Sequence, residues 1–178
     1  MSERLGPIPD HALSAAQRAA AQEIIDGPFV PLLRSPELMQ HAQRMGEYLR
    51  YRSAIGVRLS ELAILVTARQ WDQAVEWAIH APIAAQAGIP TSVIAAIAAR
   101  ERPADMLVDE AVVHDFCIAL HETKEVPDRV YADALALFGE QGAVDLMGIC
   151  GYYTLLAMVM NTARTAVPDT GEPRGDPP

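Results

Sequence analysis

Four residues offer chemistry in this sequence: Glu61, Gln73, Glu76 and His80, set in a stretch (residues 58–88) otherwise rich in Ala, Leu, Ile and Val. An ionisable group among apolar neighbours is costly unless partnered, so a cluster of them there marks a candidate site. Gln73, Glu76 and His80 recur at i, i+3 and i+7, which places them on one stripe of one helix. Glu61 lies roughly as far before a turn at Trp71 and Asp72 as His80 lies after it, so across an antiparallel helical hairpin the two reach similar height. Burial raises a Glu pKa and a neighbouring carboxylate raises that of His, which lets both groups exchange protons with a substrate carbon or oxygen. That is acid/base chemistry without a nucleophile. The same spacing fits a solvated Glu-His pair at i, i+4, worth only about 0.2–0.5 kcal/mol. On spacing alone both readings stay open.

Glu61, Glu76 and His80 are all metal-ligand types, but the hairpin has neither an H-E-x-x-H pattern nor a second His, so no metal is expected. No cofactor is expected either. A second stripe, His114, Cys117 and His121, also recurs at i, i+3 and i+7 and has types suited to zinc or a thiol site. Buried Cys and helix-borne His more often serve packing, and structural roles are the expectation for these three. Tyr152, Tyr153 and Asn161 can supply hydrogen-bond donors to a pocket.

Helices must position these groups. Ser14 caps a first helix over residues 15–26, stopped by Gly27 and Pro28, and residues 28–33 read as a connector. Ser35, Pro36 and Glu37 begin a second helix to about Arg52, with Leu38, Met45 and Leu49 as its apolar stripe beside Ala42. After a break at Gly56, a third helix from Arg58 or Ser60 through Arg69 is apolar nearly all round and must be buried on most sides. Asp72 is the expected cap of a fourth, ending at Gly88, and residues 91–99 form a fifth. Asp105 opens a sixth, with Leu107, Ala111, His114, Ile118 and His121 or its neighbours toward the core. Pro127 and Asp128 start a seventh that Gly139 ends, and an eighth spans about residues 141–164. Gly148, Gly151 and Ala157 on that last helix admit a close-packed neighbour.

Composition agrees with one all-α domain over residues 1–167, its first 34 residues an arm and helix, followed by a flexible tail over 168–178 rich in Pro and Gly. Aromatic residues are only 6% and Ala is abundant, which favours close-packed helices over a β-sandwich. A net charge of -9 without a basic cluster argues against nucleic-acid binding, while leaving an anionic small molecule open to a local Arg. Two cysteines are too few for a disulfide framework and suggest a reducing compartment. The N-terminus lacks a signal-peptide pattern, and the longest apolar run, residues 147–160, is interrupted by Gly151 and the tyrosine pair. A soluble, cytoplasmic protein without a membrane span is expected.

Residues 58–88, with their RLSELAIL opening, the EW-x-x-H of Glu76, Trp77 and His80, and the A-x-x-AGI-P that follows, resemble the carboxymuconolactone decarboxylase family, which includes the AhpD-like alkylhydroperoxidases. The resemblance implies an AhpD-like fold of seven to eight helices after Ser35, a central hairpin carrying the site, and homo-oligomers, commonly trimers or hexamers, with the site in or near subunit contacts. In the peroxidase branch the hairpin carries a Glu, a C-x-x-C pair and a His. Glu61 and His80 match that Glu and His, but Gln73 and Glu76 stand at the cysteine positions, so a C-x-x-C peroxidase is not expected. The decarboxylase branch removes carbon dioxide from a carboxylated unsaturated lactone. By that likeness His80 and Glu76 handle the proton, Glu61 orients His80, Arg58 or Arg69 holds the substrate anion, and Gln73 and Trp77 join the substrate-binding set. The alternative is a non-catalytic oligomeric protein that binds a small molecule; an alkylhydroperoxidase-like antioxidant is less favoured.

Overall fold

An Ala-rich, aromatic-poor chain folds into helices alone. The structure, a computed structural model, describes residues 2–21 and 25–167, and among them holds a 3-10 turn (Asp10–Ala12) and eight α-helices with no strand. Helix α1 (Ala15–Ala20) opens on a capping box: Gln17 N–H donates to Ser14 Oγ at 3.2 Å and Ser14 N–H to Gln17 Oε1 at 2.9 Å. Residues 22–24, in the second half of the expected first helix, and the tail over 168–178 lie outside the described residues. The expected connector over 28–33 is instead a helical turn, α2 (Phe29–Leu32), which buries Pro31 and Leu32.

Helix α3 (Pro36–Tyr51) starts on Pro36 with Glu37 in its first turn. Its buried face is Met39, Ala42, Gly46 and Leu49, a correction to the expected stripe, since Leu38 and Met45 are exposed. Gly46 explains the error. A Cβ there would collide with the Tyr152 hydroxyl, so the helix turns its smallest residue inward to admit that ring, and a glycine leaves no mark in a hydrophobic pattern.

Gly56, at φ +77, turns the chain directly into α4 (Gly56–Gln70), so this helix begins before Arg58. Every residue of it from Leu59 to Ala68 is buried, because α4 is packed by α3, α5, α6, α7 and α8. Complete burial of one leucine there, such as Leu62, contributes about 1.5–3 kcal/mol. Then come α5 (Ala74–Gln86), α6 (Thr91–Ala98), α7 (Val108–Thr123) and α8 (Asp128–Ala163). Helix α7 starts three residues later than Asp105. Leu107 is its exposed N-cap, and its buried face is Glu110, Val113, His114, Phe116 and Cys117.

Gly139, at φ +67 and ψ -178, interrupts α8 where the seventh helix was expected to end. Beyond it the helix runs unbroken through Gly151 to Ala163, in line with the eighth helix expected over about residues 141–164. By length and composition α8 is the one helix among the described residues that could cross a membrane. Of its most apolar window 56% is buried within the protein, as in the core helix of a globular fold. Gly148 admits Leu49, whose Cδ2 would lie 3.1 Å from an added Cβ, whereas Gly151 has open space before it.

Candidate functional site

The α4–α5 hairpin turns at Trp71 to Gln73, and its geometry departs from expectation. Asp72 sits in the turn itself at φ +48, and Gln73 is the cap: its Oε1 accepts from Val75 N–H at 2.7 Å. Gln73 also donates through Nε2 to Asn161 Oδ1 at 2.6 Å, while Asn161 Nδ2 donates to the Trp71 carbonyl at 3.1 Å. Trp71 Nε1 donates to Thr154 Oγ1 at 3.0 Å. Gln73 and Asn161 therefore fasten the turn to α8. Neither faces the acid/base cluster.

That cluster forms one level along the hairpin. Glu61 Oε2 lies 2.6 Å from His80 Nδ1, and Glu76 Oε2 lies 3.2 Å from His80 Nε2, one helical turn away on α5. Glu61 is fully buried, Glu76 is 2% exposed and His80 4%. These are core residues, so the solvated i, i+4 pair does not describe them. Both imidazole nitrogens face carboxylate oxygens; both donate when the ring is an imidazolium, whereas in the neutral ring one nitrogen donates and the other accepts from a carboxylic acid O–H. Burial lowers the His80 pKa, but the hydrogen bonds to Glu61 and then Glu76, with their charges, outweigh it and hold His80 above 6.5.

A fourth member was absent from the sequence reading. Arg50, near the end of α3, donates from Nε and Nη2 to Glu61 Oε1, each at 3.3 Å. With Arg50 and a protonated His80 set against Glu61 and Glu76, the charges cancel, which is what makes this burial tolerable. Spacing gave no signal for Arg50: it lies nearer the turn between α3 and α4 than Glu61 does, and its long side chain spans the difference. The Tyr153 ring stands edge-on to His80, centroids 5.3 Å apart at 89°. Burial, and then the charge of Glu76, push the Tyr153 phenol well above its ordinary range, so it stays protonated at neutral pH. Glu76 Oε1 is buried without a hydrogen-bond partner.

Arg58 and Arg69 do not join the cluster. Arg58 is paired with Asp109 and Glu110 at the start of α7. Arg69 donates from Nε to the Ala98 carbonyl at 2.7 Å and pairs with Asp72. Both arginines brace α4 against neighbouring elements. Trp77 is half-buried at the edge of the core.

The second stripe does not converge on a metal. His114 bonds Asp115 at 3.0 Å beside a cavity of about 240 Å³, and His121 lines a different cavity of about 520 Å³. Among the described residues no cluster of three ligand side chains has metal-binding geometry. What the structure brings together instead is Cys117 with Cys150, sulfurs 3.4 Å apart between α7 and α8. Sequence separation hid this pair. The sequence matches no family model and no curated protein.

Proposed function

We propose that this protein is a cofactor-free, carboxymuconolactone decarboxylase-like lyase that acts on a small carboxylated or lactone substrate by proton transfer at His80. The observation that carries the reading is a buried imidazole with both nitrogens engaged by carboxylates, Glu61 at 2.6 Å and Glu76 at 3.2 Å. Glu61 and Arg50 fix the ring, which leaves Nε2 and Glu76 to deliver the proton. In the reaction the bond from the substrate carbon to its carboxylate breaks, carbon dioxide departs, and the electron pair passes into a dienolate. His80 Nε2–H then protonates the carbon. Glu76 Oε1 is buried without a hydrogen-bond partner, which leaves it free to exchange a proton with a substrate or with Nε2.

Arg50 replaces Arg58 and Arg69 as the candidate anion holder. Its bonds to Glu61 use Nε and Nη2, and its side chain is 24% exposed. Substrate entry requires α5 to shift. Pro82, two residues past His80, has no N–H to give the preceding turn, and α5 packs chiefly on α4 and less on α6. Assembly into a homo-oligomer in the cytoplasm, with the site near a subunit contact, belongs to the same reading.

The test is carbon dioxide release from γ-carboxylated unsaturated lactones. His80→Ala and Glu76→Gln should each lose turnover while keeping wild-type helicity and assembly, and full activity in both variants would refute the assignment. The closed state of the cluster favours a second reading, a non-catalytic small-molecule-binding protein in which the four charges serve the core. Thermal stabilisation by such lactones without product would decide for it.

A further inference from the structure

The structure assigns a second reactive centre: Cys150 and Cys117 form a thiol–disulfide exchange site that takes a small aliphatic disulfide from the cavity beside α8. The cavity, about 520 Å³, is walled by Trp71, Leu120, Met147 and Met158, with Cys150 in its lining and Cys117 behind it. Both cysteines are buried, Cys150 at 2% exposure and Cys117 at 0%, so only the first meets what enters. Their sulfurs are 3.4 Å apart, and side-chain rotation across the α7–α8 contact closes that gap to a disulfide of about 2.0 Å.

The electrostatics separate the two roles. The cavity lining holds His121 and Lys124 and no carboxylate, in a protein of net charge -9. Facing Cys150 are Cys117 and His121 from α7, Lys124 beyond its end, and the uncharged Thr67 and Gln70 from α4; Thr67 Oγ1 holds His121 Nε2 at 3.0 Å. The hydrogen bond with Cys117, against burial, with help from His121 and Thr67, lowers the Cys150 thiol to about 6. The same hydrogen bond, with burial, raises Cys117, which keeps its proton. One sulfur is a nucleophile at neutral pH, and the other is held in reserve.

The exchange balances in two steps. Cys150 thiolate attacks one sulfur of the small disulfide, the sulfur–sulfur bond breaks, and a thiolate leaves and takes a proton from water. Cys117 then attacks Cys150 in the mixed disulfide, and its proton passes to the departing sulfur, which leaves as the second small thiol. Two protein thiols are oxidised and one small disulfide is reduced to two thiols.

The test treats the native full-length chain with hydroxyethyl disulfide and follows intact mass and released thiol. The wild type should become two hydrogen atoms lighter and release two thiols per chain, whereas Cys117→Ala should stop at a mixed disulfide on Cys150. The rate of adduct formation in Cys117→Asn, whose amide can still donate to Cys150, should level off at a lower pH than that of the same variant in denaturant, whereas Cys117→Ala, which lacks that donor, should level off at a higher pH than Cys117→Asn. In the otherwise wild-type chain His121→Asn should move the pH midpoint of the reaction upward. Absence of a Cys117–Cys150 disulfide in the wild type would overturn the proposal. So would a native pH midpoint in Cys117→Asn equal to that of the unfolded chain, or adduct formation at Cys117 in Cys150→Ala as fast as at Cys150 in Cys117→Ala.

Discussion

Two buried polar clusters lie against α4, and they solve opposite problems. Near its start, Glu61 meets His80, Glu76 and Arg50 in a closed knot with balanced charge. Near its end, Thr67 meets His121 beside Cys117 and Cys150 at the wall of an open cavity that has no acid in its lining. The ionic cluster is densely partnered yet lies on neither of the two cavities described above, while the thiol cluster has few partners and places Cys150 in the lining of one of them. Ions must be compensated to be buried, and compensation consumes the space and donors a substrate would use. Thiols are nearly apolar when protonated and need no such cage.

The sharpest way to break the contrast is Glu61→Ala. It leaves buried His80 with Glu76 alone and takes its carboxylate from half-buried Arg50, and should cost about 3–5 kcal/mol in urea unfolding. Gly46→Ala comes next. An added Cβ pushes Tyr152, which stands edge-on to Tyr153 at 5.1 Å, which in turn supports His80; a loss of about 1–3 kcal/mol is expected from the same measurement. On the thiol side Cys117→Ala should cost only about 1 kcal/mol, and should leave the titration of His80, followed by NMR, unchanged. The subtlest test is pH. His80 is held above 6.5 in the folded state, so its stabilisation is complete below that pH and is lost as pH rises through the folded value. Unfolding free energies near pH 6 and pH 9 should show this decline in the wild type and a flatter one in Glu61→Gln.

Much of the ionic cluster was legible because local spacing encodes it. Glu76 and His80 are one turn apart on a single helix, and the hairpin brings Glu61 to their height. The continuous apolar stretch of α4 likewise announced a helix buried on all sides. Glycine misled the reading in two ways: Gly46 hid the true face of α3, and Gly151, expected to admit a close-packed neighbour, faces open space. Arg58 and Arg69 were nearest in sequence to the site, but proximity along a helix does not set direction, and both point to other neighbours.

The sequence by itself determined the longer helices, the hairpin and the grouping of Glu61, Glu76 and His80, since each depends on contacts within a turn or across one short connection. Only the tertiary structure decided that Arg50 completes the charge balance, that Gln73 caps and ties the turn, and that Cys117 meets Cys150. Those partners are joined by helix packing, whose register depends on side-chain volumes summed over several helices and leaves no periodic trace in any one of them.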